Sequence, residues 1–89
     1  MFKLVIAIIR DSDAHAVSDA LVAADFRVTR IASTGAFWRQ GNTTLLIGVE
    51  ADKVDAVIAT LKAACAPAPA DGSHRATVFV LNTAGYEQI

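Results

Sequence analysis

Three of the four strand-like segments in this chain are apolar on both faces, and that restricts its fold more than any other feature. Side chains along a strand point to opposite sides in turn, so an antiparallel sheet with one wet face alternates apolar and polar residues. Here the alternation is missing. In Phe2–Ile9, Phe2, Leu4, Ile6 and Ile8 face one way and Val5, Ala7 and Ile9 the other. In the third strand Leu45, Ile47 and Val49 oppose Leu46 and Gly48, and in the fourth Thr77, Phe79 and Leu81 oppose Ala76, Val78 and Val80. Both sides of such a sheet demand cover.

The helices of the chain supply cover for one side only. After the strand Phe2–Ile9, Arg10-Asp11-Ser12-Asp13 breaks the run, and Asp11 or Ser12 is expected to cap a helix over Ser12–Ala24. Ala14, Val17, Leu21 and Ala24 keep helical spacing along it, and Asp25 and Phe26 end it. Arg27–Thr34 reads as the second strand, Gly35–Gly41 as a loop and Asn42–Val49 as the third strand. Ala51-Asp52-Lys53 opens a second helix with Asp52 as the expected cap, and Val54, Val57, Ile58, Leu61 and Cys65 form its apolar stripe. Pro67, Pro69 and Gly72 make 66–73 a loop; Arg75–Leu81 is the last strand and Asn82–Ile89 a tail. The order βαββαβ predicts an α+β, ferredoxin-like sandwich, a four-stranded antiparallel sheet with two helices on one face, over residues 1–89 as a single domain. The second face is then an exposed apolar patch, which predicts a homo-oligomer packed through its sheets.

Composition excludes several functions. A net charge of −1 lacks the basic excess of a nucleic-acid binder, although a small phosphate-bearing ligand needs only one or two cations. No apolar run approaches the roughly 18 residues of a membrane span, and no secretory leader is recognisable, so a cytoplasmic location with no membrane partner is expected. The single Cys65 excludes an internal disulfide and multi-cysteine metal motifs, and reads as a small buried hydrophobe. His15 and His74 lie in different elements with no ligand spacing around them, so no metal is expected. No triad, Walker motif or G-x-G-x-x-G is present, and the chain does not read as an enzyme. Asp11, Asp13 and Asp19 are accounted for by helix ends and a solvated helix face.

The polar, glycine and aromatic residues that suggest binding concentrate in 26–50, FRVTRIASTGAFWRQGNTTLLIGVE. Gly35 and Gly41 bracket Phe37 and Trp38, adjacent aromatics in a loop. Such a pair either folds onto the core or a neighbouring subunit, or offers a stacking platform for a planar ligand such as a nucleobase. Arg27 and Thr29, two apart, point the same way, one suited to a phosphate and the other carrying a hydroxyl. Asn42 offers the donor and acceptor that an adenine edge requires. Gly48 inside a strand fits close approach of a ligand to the backbone. Together these residues suggest a nucleotide pocket beside the hairpin.

The chain resembles the cyclic-di-AMP receptor family, PII-like signalling proteins of bacteria. The marks are KLVIAIIRDSDA at the start, FRVTRIASTGAFWRQGNTTLLIGVE, KVDAVIATLK and ATVFVLN. The resemblance implies the same sandwich assembled as a homotrimer about its sheets, no cofactor, and a cyclic dinucleotide in clefts between subunits. It implies that Arg27 and Thr29 hold phosphate and ribose. Gly35, Phe37 and Trp38 would line the cleft, Asn42 and Gly48 would meet adenine, and Phe79 would close the pocket from an adjacent subunit or strand. Asp25 also falls in the site, where the family usually has Asn. Ala36 stands where a second glycine is common, and 66–74 is a short Ala/Pro linker where a long ligand-responsive loop is typical. A second reading is a PII-like scaffold that binds a downstream protein partner through 35–41, with Phe37 and Trp38 as anchors.

Overall fold

A computed structural model describes residues 1–34, 41–67, 75–85, 87 and 89, with the backbone only at 32–34. Its elements are β1 (Phe2–Arg10), α1 (Asp11–Ala23), β2 (Val28–Thr34), β3 (Asn42–Glu50), a 3-10 turn (Ala51–Lys53), α2 (Val54–Ala64) and β4 (Ala76–Asn82). The strands form one sheet in the order β2-β3-β1-β4, with all three pairings antiparallel. Each helix therefore joins two parallel strands with a third between them, the split βαβ arrangement doubled. The fold is ferredoxin-like, as the order of elements predicts.

The core lies between the helices and one face of the sheet. Val5, Ala7 and Ile9 of β1 and Leu45, Ile47 and Val49 of β3 are buried there with Ala14, Val17 and Leu21 of α1 and Val57 and Leu61 of α2. Burial alternates strictly along β1 from Val5 to Ile9 and along β3 from Thr43 to Val49. The residues between them, Leu4, Ile6, Ile8, Thr44 and Leu46, face the open side and are only partly buried. The cross-strand row Thr29–Leu46–Ile6–Phe79 runs across that side. Ile31, Phe79 and Leu81 there remain 46–50% exposed. The face that sequence alternation leaves without a partner is thus open in the single chain.

Local structure departs from expectation at the helix starts. No side chain caps either α-helix or the 3-10 turn. The N-cap of α1 is Arg10, and Asp11 is already the first helical residue. Asp11 is committed elsewhere: its N–H donates to the Gly41 carbonyl at 3.1 Å and its carboxylate accepts from the Thr43 hydroxyl. Ser12 is exposed. Asp52 sits inside the 3-10 turn rather than capping α2. Both acids of the first α1 turn still lie at the positive end of its dipole.

The end of α1 follows the expected boundary. Asp25 N–H donates to the Val22 carbonyl and Phe26 N–H to the Leu21 carbonyl, each at 2.9 Å, the paired bonds of a Schellman motif. Asp25 has φ of +67°, the left-handed conformation that such a cap requires. Phe26 packs back on the core beneath it. Cys65 lies one residue beyond α2, buried with Leu61. Burial, then the Asp13 carboxylate, pushes its thiol above the ordinary range, against the opposing pull of Arg75 and Arg10.

Candidate nucleotide-binding cleft

On the open side of the sheet, where β2 begins and β3 ends, lies a cavity of about 450 Å³, within the usual range for small-ligand sites. Three strands and one helix end build it. The α1 cap delivers Asp25 and Phe26, the chain entering β2 delivers Arg27 and Thr29, β3 delivers Leu46, Gly48 and Val49, and β1 delivers Phe2 and Leu4. The register explains the grouping: Thr29 lies opposite Leu46, and Gly48 opposite Leu4. The left-handed turn at Asp25 swings the chain from the helix layer to the sheet edge, so Asp25 and Arg27 reach the same rim.

Of the residues singled out in the sequence, Asp25, Arg27, Thr29 and Gly48 line this one cavity. Asp25, Arg27 and Thr29 are exposed at its mouth. Asn42 and Phe79 do not line it. Asn42 is at the opposite end of β3, six residues from Gly48 and so about 20 Å away, opposite Arg10 on one side and Thr34 on the other. Phe79 is on β4, the far edge of the sheet, three strand spacings or about 14 Å from Thr29. Among the described residues, then, Asn42 and Phe79 stand apart from the four that line the cavity, although β4 is adjacent to β1 and Phe79 is diagonal to the lining residue Leu4. Gly35, Phe37 and Trp38 lie outside the described residues, as do Ala36 and His74.

Phe2 was missed. In sequence it is only the first of a strand's apolar residues, yet its ring reaches diagonally across the ladder from its partner Glu50 onto Gly48. A Cβ at Gly48 would stand 2.8 Å from the Phe2 Cζ and 2.9 Å from Cε2. The space in front of Gly48 is thus shared with the tip of the Phe2 ring.

Nothing on the described surface resembles a metal centre: among the described residues no group of three or more His, Cys, Asp or Glu is placed to hold an ion. His15 pairs with Asp19 at 3.2 Å on the exposed side of α1. Asp13 is buried and held by Arg10 at 2.8 Å, which accounts for it structurally. Among the described residues no helix is long and apolar enough to cross a membrane.

A family model described as "Cyclic-di-AMP receptor" matches residues 2–71. The chain belongs to that family. This member of the cyclic-di-AMP receptor family is also similar to solved structures. One is a functionally unknown protein from Pediococcus pentosaceus, 34% identical, with a TM-score of 0.79 over 99% of this chain and 97% of that one. Another is PII from Arabidopsis thaliana, solved bound to citrate, 26% identical, with a TM-score of 0.75 over 92% of this chain and 74% of that one. The receptor fold is thus PII-like as well as ferredoxin-like.

Proposed function

We propose that this protein is a PII-like signal-transduction protein that binds cyclic-di-AMP in clefts between the subunits of a homotrimer. The observation that carries the reading is the cavity on the open sheet face, where Arg27 and Thr29 stand against apolar walls in a chain of the cyclic-di-AMP receptor family. A guanidinium offers a fork of donors to a phosphodiester, and a hydroxyl offers a donor to phosphate or ribose. The distance of Asn42 from this cavity, at the opposite end of β3, favours a site completed across a subunit boundary. In that arrangement the ligand spans copies, and Phe79 comes from a neighbour. No turnover is part of the role: the bound dinucleotide alters the surface that a downstream protein recognises.

Calorimetric titration of cyclic-di-AMP tests it. The wild-type protein is expected to bind at tens of micromolar or tighter, and Arg27→Ala to bind at least about tenfold more weakly, the scale of a lost charge-assisted hydrogen bond. No heat with the wild type, under conditions where a known receptor responds, rejects the ligand.

A further inference from the structure

Phe2 has a place in the cleft that neither its sequence position nor the family resemblance assigns. Gly48 and Phe2 form a matched pair. The ring tip lies where any side chain at 48 would begin, closer than non-bonded carbon atoms approach. Glycine at this point of an otherwise apolar strand thus leaves room for the tip of a cross-strand aromatic against the backbone, where an aromatic can shield a strand glycine.

The consequence for the cavity is direct. A ligand entering it meets the Phe2 ring before the Gly48 backbone. The other lining aromatic, Phe26, is the residue closing the α1 cap and is packed on the core. The remaining apolar walls, Leu4, Leu46 and Val49, are aliphatic. The polar group of Arg27, Thr29 and Asp25 lies on the β2 side and Phe2 on the β1 side, with β3 between them. Because the Phe2 ring tip reaches Gly48 on β3, the aromatic group and the β2 polar group are one strand spacing apart, roughly 5 Å. A ligand that carries an anionic group close to a planar apolar one matches this pairing.

We infer that Phe2 is a base-contacting residue of the cleft: seated on Gly48, its ring gives a nucleobase of the dinucleotide an aromatic surface while Arg27 takes the phosphodiester. This rests on the dinucleotide reading above. A base gains much of its binding from aromatic contact, and loss of one such contact weakens binding by about fivefold or more. Leucine at position 2 keeps an apolar group over Gly48 and removes the π surface; tyrosine keeps the surface.

The experiment titrates cyclic-di-AMP into wild type, Phe2→Leu and Phe2→Tyr, and records the thermal midpoint of each without ligand. The expected result is a loss of fivefold or more for Phe2→Leu, near-wild-type affinity for Phe2→Tyr, and unliganded midpoints within a few degrees of each other. The loss at Phe2→Leu is also expected to be the same at low and high salt, unlike that at Arg27→Ala, whose contact is ionic. If the wild type binds and folded Phe2→Leu binds equally well, the role of Phe2 is overturned and the dinucleotide reading stands. If the wild type itself does not bind, the dinucleotide reading falls and this inference with it.

Discussion

Asp25 occupies two environments with opposing demands. Its backbone must be left-handed, with φ of +67°, to close α1. Residues with a Cβ pay for that conformation, and Asp and Asn pay least among them. Asp25 also lines the cavity, as Arg27 does. The two demands separate by substitution. Asp25→Gly relieves the backbone and is expected to raise the thermal midpoint by about 3 °C, from about 0.5 kcal/mol. Asp25→Ala keeps the strain with a residue that tolerates the left-handed region less well than Asp, and is expected to lower it by a similar amount; thermal denaturation of the two variants reads the order Gly, Asp, Ala. At this scale the sequence was informative where spacing alone decides. Two-residue spacing puts Arg27 and Thr29 on one side of a strand, and both line the cavity. It was silent on Phe2, because a diagonal contact depends on the register of β1 against β3, which no local pattern encodes.

The elements themselves were legible because their apolar periods are clean, whereas their ends were decided by contacts distant in sequence. Asp11 lies at the expected start of α1 yet caps nothing, because its carboxylate is taken by Thr43 on β3 and its N–H by Gly41. Asp13 does more for the junction of elements than for its own helix. Arg10 Nε and Nη2 donate to one of its oxygens at 3.1 and 2.8 Å, and Ala66 N–H donates to the other at 3.3 Å. Arg10 Nη2 also donates to the Ala66 carbonyl at 3.3 Å. This knot ties the end of β1, the start of α1 and the chain leaving α2 at one corner. Because the side chains of Arg10 and Asp13 are only 19% and 7% exposed, removing one partner leaves a poorly solvated charge. Asp13→Ala is expected to destabilise the fold by about 3 kcal/mol, lowering the thermal midpoint by roughly 10–20 °C, measured by thermal unfolding. A midpoint within a few degrees of wild type would show that the corner relaxes to hydrate Arg10. Since Asp13 lies across the sheet from the cavity's lining, the folded variant should keep its dinucleotide affinity.

At the scale of the whole molecule, the strands that are apolar on both faces leave a consequence that one chain cannot absorb. Two helices cover one side of the sheet, and the row Thr29–Leu46–Ile6–Phe79 crosses the other. Phe79 is 50% and Leu81 46% exposed beside partly buried Ile6 and Leu46. A continuous apolar sheet face of this kind is what subunit contacts bury, and its burial supplies the free energy of assembly. The cavity opens on the same side, so the proposed trimer and the proposed dinucleotide site would share this face. A substitution that charges the centre of the face should therefore remove both. Ile6→Lys places an ammonium opposite Leu46 and Phe79 on the open side and leaves Val5 and Ala7 in the core undisturbed. Light scattering is expected to give three times the 9.4 kDa chain mass for wild type and a single chain mass for Ile6→Lys. Calorimetry on the same variant is expected to show cyclic-di-AMP affinity reduced by well over tenfold, although the variant leaves Phe2, Arg27 and Thr29 in place. A monomeric wild type would overturn the assembly. A monomeric Ile6→Lys that binds with wild-type affinity would instead place the complete site within one chain.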